Sequence, residues 1–392
     1  MNIKLSQRMD TLSPSMTIAI STLAADLKAS GKDVLSFSAG EPDFDTPQKI
    51  KDSAVEALNT AKTKYTAVAG TNEVKEAIAT KLKRDNNLNY KKEDILVSVG
   101  AKHSLFNIFQ ALIEKDDEVI IPAPYWVTYP ELVKYSEGKP VFINTDDSTS
   151  FKITAEQLQN TITPKTKMLV LTTPSNPTGS VYSKEELESL AEVLKGTNIW
   201  VVSDEMYEKL LYDNTTFTAT ASISDDMFDR TITVNGLSKS VAMTGWRFGY
   251  LATPHADLIK AMTKLQSQST SNINSITQHA SITALNGSVD EDIESMRIEF
   301  EKRRNLACEL LEDIKGLSVV KPKGAFYLFV NTKEVEPNSM TFSTRLLEEA
   351  GVAVVPGIGF GLDGYFRFSF ATDEETIKAG IQRIKNFVDN YK

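Results

Sequence analysis

Lys239 stands in the stretch Asn235-Gly236-Leu237-Ser238-Lys239-Ser240-Val241-Ala242-Met243-Thr244-Gly245-Trp246-Arg247, among small and apolar neighbours. An amine held out of water titrates below its usual range, and the neutral form can join a carbonyl as a Schiff base. A loop lysine in water is the plain alternative, since buried lysines are uncommon. What surrounds Lys239 therefore decides its reading. Arg247, eight residues on, completes with Ser238 and Lys239 a cationic fork suited to phosphate.

Other residues with chemical potential follow short apolar runs. Gly100-Ala101-Lys102-His103 offers small residues at the opening of a helix, where free N–H groups and the helix dipole suit a phosphate; an ordinary strand-to-helix turn would use the same glycine. Trp126 can stack on a flat heteroaromatic ring or fill the core. Asn176 lies between Pro174 and Pro177, a stiff setting for an amide, although Asn-Pro is also a routine turn. Asp204, with Tyr207 close behind, ends a very apolar run; a carboxylate so placed needs a cation or strong donors, unless it serves only as a helix cap.

These positions belong to a recurring rhythm. β-Branched runs at 95–99, 118–121, 168–172, 199–203 and 231–235 alternate with amphipathic stretches such as Ala101–Leu112 and Lys184–Leu194, the latter entered through the capping box Ser183/Glu186. The pattern predicts an α/β fold with a mostly parallel sheet flanked by helices. In such sheets ligands bind beyond the carboxyl ends of the strands, which is where the residues above fall. From about residue 290 the pattern changes: a helix over 292–314, strands at 325–330, 353–355 and 365–370, and a closing helix over 373–391 predict a smaller α+β domain.

Length and composition are those of a soluble globular chain with more residues than one core usually holds: 392 residues, 41% hydrophobic and 24% charged. The net charge of −9 argues against nucleic acid or an anionic membrane as partner. Cys308 is the single cysteine and the histidines are three, His103, His255 and His279, so neither a disulfide nor a metal centre is expected; Cys308 reads as helix core. No apolar leader or spanning segment is visible, so a reducing cytoplasm is the expected location. Gly359-Phe360-Gly361-Leu362-Asp363-Gly364 matches a dinucleotide-binding pattern, yet it leads into the run 365–370 rather than into a helix, and reads as a connection.

Taken jointly, a phosphate cradle, a stacking ring, a ring-oxygen donor, a carboxylate and a Schiff-base lysine are the requirements of pyridoxal phosphate, whose protonated ring acts as an electron sink. At this point the chain resembles the fold-type I, class I aminotransferases over nearly its whole length, and within them the bacterial aspartate aminotransferases of subgroup Ib. The matching segments are 38–47 (SAGEPDFDTP), Lys64-Tyr65-Thr66, Tyr125-Trp126-Val127, Asn176-Pro177-Thr178-Gly179, Ser203-Asp204-Glu205-Met206-Tyr207-Glu208, 238–249 and Phe366-Arg367-Phe368-Ser369. Each is weak alone, and their order and spacing make them specific.

The resemblance implies a large domain over 47–290 and a small one built from 1–46 plus 291–392, with a mobile N-terminal segment. It implies that Lys239 tethers the cofactor and shuttles the substrate Cα proton. Asp204 would pair with the ring nitrogen, Tyr207 and Asn176 with the ring oxygen, and Trp126 would cover the ring. Gly100, Ala101, Lys102, Ser238 and Arg247 would form the phosphate end, with Tyr65 reaching the phosphate of a neighbouring subunit in a homodimer. Arg367, otherwise readable as a half-exposed strand arginine, would grip the α-carboxylate with help from Gly40. Lys102 with Ser15 and Thr17, and hydroxyls of 269–271 from the partner, would meet the distal carboxylate. Two departures stand out: Gly236 where many relatives place a phosphate-binding serine, and Ala101 where glycine is frequent.

The activity so implied is transfer of the amino group of L-aspartate to 2-oxoglutarate. Prephenate or broader specificity is the alternative within the subgroup. A regulator sensing pyridoxal phosphate is a remote one: only 39 residues precede Gly40, where a DNA-binding domain would be required, and the chain is acidic.

Overall fold

The computed structural model describes residues 3–392. A seven-stranded sheet runs in the spatial order Ile95–Val99, Phe248–Ala252, Thr231–Gly236, Trp200–Asp204, Thr166–Thr172, Glu118–Ala123, Lys139–Asn144. Phe248–Ala252 pairs antiparallel with both of its neighbours, and the remaining pairs are parallel. The central strands are buried on both faces, with Val201, Val202, Ile232 and Val234 all inaccessible to water. Covering helices account for that, as expected of parallel sheets.

Two of these strands escape the sequence reading. Lys139–Asn144 is an edge strand whose side chains are mostly exposed or half-buried, and its apolar run is only Val141-Phe142-Ile143 after Pro140. Phe248–Ala252 is masked by its glycine. A Cβ on Gly249 would fall 2.2 Å from the Ala101 nitrogen, so only glycine lets this strand lie against the opening of Ala101–Leu112. The strand expected at 199–203 is Trp200–Asp204, which makes Asp204 the last strand residue rather than the start of the exit loop.

A second sheet of four antiparallel strands has the order Val355–Pro356, Tyr365–Ser369, Tyr327–Asn331, Ser318–Val319. The helices Asp290–Glu312 and Glu374–Asp389 pack on it through Met296, Phe300, Ile377 and Ile384, around Phe326, Phe366 and Phe368. Cys308 is buried in this core. The run expected at 353–355 is divided: Val355 joins this sheet, whereas Val352–Ala353 pairs in parallel with Leu35–Ser36 from the opposite end of the chain. The glycine-rich segment 359–364 forms a short turn with Gly361 and Gly364 at positive φ and enters Tyr365–Ser369, so it opens no helix. Among the described residues no helix is long and apolar enough to cross a membrane.

Candidate active site

The carboxyl ends of the parallel strands open on a cavity of about 290 Å³. Lys239, three residues beyond Thr231–Gly236, sends its amine into it and donates to the carbonyl of Gly40. Burial lowers this amine to about 8, and the nearby Arg367 and Arg247 charges push the same way. A neutral fraction on the order of a tenth at about pH 7 follows, larger than the isolated side chain would have.

Asp204 faces Lys239 from the end of its strand. It is buried, and it accepts from the Tyr129 hydroxyl at 2.7 Å and from the Met206 backbone N–H at 3.3 Å. Burial raises its pKa, while those two donors and the Lys239 charge oppose the rise. Tyr129 sits within hydrogen-bond reach of Thr172 as well, at 2.7 Å, so the carboxylate is held at the head of a short relay. Tyr207 lies beside it with its hydroxyl 2.9 Å from that of Tyr327.

Arg367 reaches the cavity from Tyr365–Ser369. It is 2% exposed, which rejects the half-exposed strand arginine. Its Nη1 donates to Asn176 Oδ1 at 3.0 Å and its Nη2 to the Ser38 carbonyl at 2.7 Å, whereas Nε has no partner among the described residues. The Tyr327 and Phe360 rings flank the guanidinium at 4.4 and 5.1 Å. A buried cation whose acceptors are all neutral is costly unless an anion joins it.

The other end of the cavity is built on the opening of Ala101–Leu112. Gly100 caps that helix at φ 79, and a Cβ there would lie 2.5 Å from Arg247 Nη2. The bare glycine therefore lets the guanidinium sit against the first turn, whose N–H groups have no intrahelical acceptor. Arg247 itself occupies the left-handed region and is anchored by Nη1 donating to the Thr244 carbonyl at 2.9 Å. Ala101 and Ser238 line the same end. Lys102 lies 4.9 Å from the Trp126 ring, and burial together with the Arg247 charge lowers its pKa.

Of the residues singled out from sequence, Ser15, Thr17, Gly40, Ala101, Lys102, Trp126, Asn176, Asp204, Tyr207, Ser238, Lys239, Arg247 and Arg367 share this one cavity. Gly100 stands just behind its wall. Ser15 also accepts from Ile18 N at 3.5 Å as the cap of Met16–Ala29. Tyr65 lies elsewhere, 93% exposed in a surface hollow with Lys62 and His279, and residues 269–271 follow the helix Ala256–Ser267 outside the cavity. Gly236 has a local reason: a Cβ would fall 2.7 Å from the Phe248 carbonyl, so no serine fits there. Tyr129, Tyr327, Met206 and Thr244 line the cavity without having been anticipated. Buried aromatics in apolar runs read as core; only the three-residue spacing of Tyr129 from Trp126 hinted otherwise.

Four basic side chains, Lys102, Lys239, Arg247 and Arg367, thus face one carboxylate, Asp204, within a chain whose net charge is −9. The site is built for an anionic ligand with more than one negative group.

The family model for "Aminotransferase class I and II" matches residues 32–384. Aspartate aminotransferase of Bacillus subtilis (strain 168) is 49% identical, over 99% of this chain and 100% of the relative. The probable aspartate/prephenate aminotransferase of Rickettsia bellii is 48% identical, over 97% and 98%. Among solved structures, the aspartate aminotransferase from Rhizobium meliloti superposes with a TM-score of 0.96 at 42% identity, covering 100% of both chains. The Thermus thermophilus enzyme with maleate gives 0.94 at 42%, covering 98% of this chain and 100% of that one. Sequence, fold and cavity agree, and the chain belongs to the class I and II aminotransferases.

Proposed function

We propose that this aminotransferase uses pyridoxal 5′-phosphate to transfer the amino group of L-aspartate to 2-oxoglutarate, giving oxaloacetate and L-glutamate in a ping-pong cycle. The observation that carries the reading is the cavity's charge pattern: Lys239 and Asp204 line one cavity with Arg247 at the helix opening and with Arg367, a buried cation whose hydrogen-bond acceptors are neutral. The names of the relatives supply the substrate class.

The side chains fit the cofactor. Arg247, Ser238 and the first turn at Gly100-Ala101-Lys102 would hold the phosphate. Asp204 would pair with the ring nitrogen, Asn176 and Tyr207 with the ring oxygen, and Trp126 would cover the ring. When bound, the cofactor supplies an exchangeable carbonyl and a protonated ring that withdraws electrons from the substrate Cα. Lys239 tethers it and then, through Nζ, removes and returns the proton at Cα; an amine titrating near 8 is suited to both directions.

Arg367 binds the α-carboxylate and thereby fixes which Cα bond faces Lys239. Lys102, Ser15 and Thr17, which line the same cavity, would meet the distal carboxylate. The exposed Tyr65 suits a homodimer in which each subunit's Tyr65 and residues 269–271 complete the other's site. The division into 47–290 and 1–46 plus 291–392 would allow the Arg367 wall to close on substrate. Prephenate is the second reading, because it is also a dicarboxylate and the Rickettsia bellii relative's name includes it.

Steady-state comparison of aspartate, glutamate, prephenate and aromatic amino acids with matched 2-oxo acids tests the assignment. Aspartate with 2-oxoglutarate is expected to be among the most efficient pairs, and negligible turnover of that pair would overturn it. Borohydride trapping with peptide mass spectrometry is expected to place the cofactor's mass on Lys239; a mass on another lysine overturns its role.

A further inference from the structure

A short segment outside the cavity lining connects two of its walls. Residues 146–151 follow the edge strand Lys139–Asn144 of the large sheet. Asp147 Oδ1 accepts from the Tyr365 hydroxyl at 2.5 Å, and Asp147 Oδ2 accepts from Asn331 Nδ2 at 3.0 Å. Both donors belong to the small antiparallel sheet, where Asn331 and Tyr365 are register partners. Lys333 Nζ donates to the same Tyr365 hydroxyl at 3.1 Å.

The segment is pinned further along. Phe151 is buried with its ring edge-on to Phe329 and Tyr365, at 5.5 and 5.6 Å, and those two rings stack at 4.9 Å. The Ser150 carbonyl accepts from Ser180 Oγ at 2.7 Å. Ser180 belongs to the loop that carries Asn176, which is closed by Ser175 N donating to the Ser180 carbonyl at 2.9 Å. Ser150 and Phe151 both lie in the left-handed region, φ 52 and 58, a conformation that non-glycine residues avoid unless the surroundings impose it.

Tyr365 and Arg367 are two residues apart on one strand and therefore on one face, and Phe329 is the register partner of Arg367. The contacts form a closed circuit: Arg367 to Asn176, along the loop to Ser180, to Ser150, back along the segment to Asp147, to the Tyr365 hydroxyl, and along the strand to Arg367. Both walls of the carboxylate clamp are referred to one outlying segment.

We propose that residues 146–151 form a positioning strap that fixes Arg367 against Asn176, with Tyr365 and Ser180 as its two anchors and the substrate α-carboxylate as the group that benefits. The proposal rests on the assignment of Arg367 to that carboxylate. Severing either anchor loosens the clamp without touching Lys239 or the phosphate end. Ground-state and transition-state carboxylate binding fall together, so KM rises while kcat holds.

The test uses the pyridoxal-phosphate-loaded protein and succinate as a non-reacting dicarboxylate, with Tyr365→Phe, Ser180→Ala and Arg367→Lys compared. Each strap variant is expected to weaken succinate and raise KM for aspartate about five- to tenfold, with kcat changed less than about twofold, the range of one lost hydrogen bond. In an Arg367→Lys background Tyr365→Phe is expected to add little, because the two act through one contact. A lowered urea midpoint with unchanged succinate affinity would make the strap a plain stabilising contact and overturn the proposal. If Arg367→Lys weakens succinate strongly and neither strap variant does, the strap fails and the Arg367 assignment stands. If Arg367→Lys leaves succinate binding unchanged, the assignment itself fails and the strap with it. Ser180→Ala keeps the test open should Tyr365→Phe not fold.

Discussion

The Tyr129 hydroxyl donates to Asp204 at 2.7 Å, joining the first turn of the helix Thr128–Tyr135 to the end of a central strand 75 residues later. This bond offsets part of the burial that raises the Asp204 pKa. In the proposed assignment Asp204 has to be ionised to hold a protonated ring nitrogen, so cofactor binding is expected to weaken as pH falls through its pKa. Tyr129→Phe removes the donor and moves that loss to higher pH. A roughly tenfold weaker cofactor affinity is expected from one hydrogen bond to a charged group, measured by absorbance titration across pH.

Lys239 makes a prediction for the cofactor-free protein. Its amine titrates near 8 in the folded chain, against an ordinary lysine value when unfolded. The unfolded state binds more protons between those values, so folding is disfavoured below the window and relieved as pH rises through it. Lys239→Met is expected to raise stability by about 2 kcal/mol at neutral pH and to lose that advantage above about pH 10. Urea unfolding at several pH values decides this, and an equal effect at every pH would refute the burial argument.

Glu205 gives the opposite pH sign. It is fully buried; Oε1 accepts from Ser203 Oγ at 2.9 Å and Thr220 N at 3.1 Å, while Oε2 has no partner among the described residues. Burial and then the nearby Glu208 charge push it up to about 8, against the pull of its donors and of Lys81. An acid with a raised folded pKa contributes its full stability below the unfolded value and loses it as pH climbs through the folded one. Glu205→Gln should match the parent near pH 4 and exceed it by roughly 2–4 kcal/mol at pH 8. Equal unfolding midpoints at pH 8 would mean that Glu205 is ionised and accommodated.

Gly100 is tested by adding one carbon. Alanine there meets Arg247 Nη2 at 2.5 Å and must hold φ 79, so the guanidinium is displaced from the helix opening. Cofactor affinity is expected to fall at least about tenfold, the worth of one strong charge-assisted contact. Gly245→Ala, with nothing within 4 Å of its new Cβ, is the matched control and should bind as the parent does.

How far the chain could be read in advance depended on local contrast. Lys239 and Asn176 lie just beyond the ends of apolar strands, Asp204 ends one and Arg247 immediately precedes one, and that contrast between polar and apolar survives in one dimension. Tyr129 and Tyr327 do not show it, because an aromatic in an apolar run has the same appearance whether it fills a core or lines a wall. The edge strand Lys139–Asn144 offers only the short run Val141-Phe142-Ile143 after a proline, and Phe248–Ala252 is interrupted by its obligatory glycine. Partners such as Asp147 and Tyr365, 218 residues apart, leave no trace in spacing at all.

The pairing of Leu35–Ser36 with Val352–Ala353 also has a temporal meaning. During synthesis the chain emerges from its N-terminus, and the seven-stranded sheet can assemble once residue 252 is out. The ladder that holds residues 35–36, and the Ser38 carbonyl that receives Arg367, must wait for about a hundred residues more. Until then the early segment has no strand to join. The nascent protein therefore passes through an interval in which Lys239 and Asp204 are already placed but the clamp proposed for Arg367 does not exist, and ribosome-bound chains halted before residue 352 should possess the cofactor side of the proposed site without its carboxylate side.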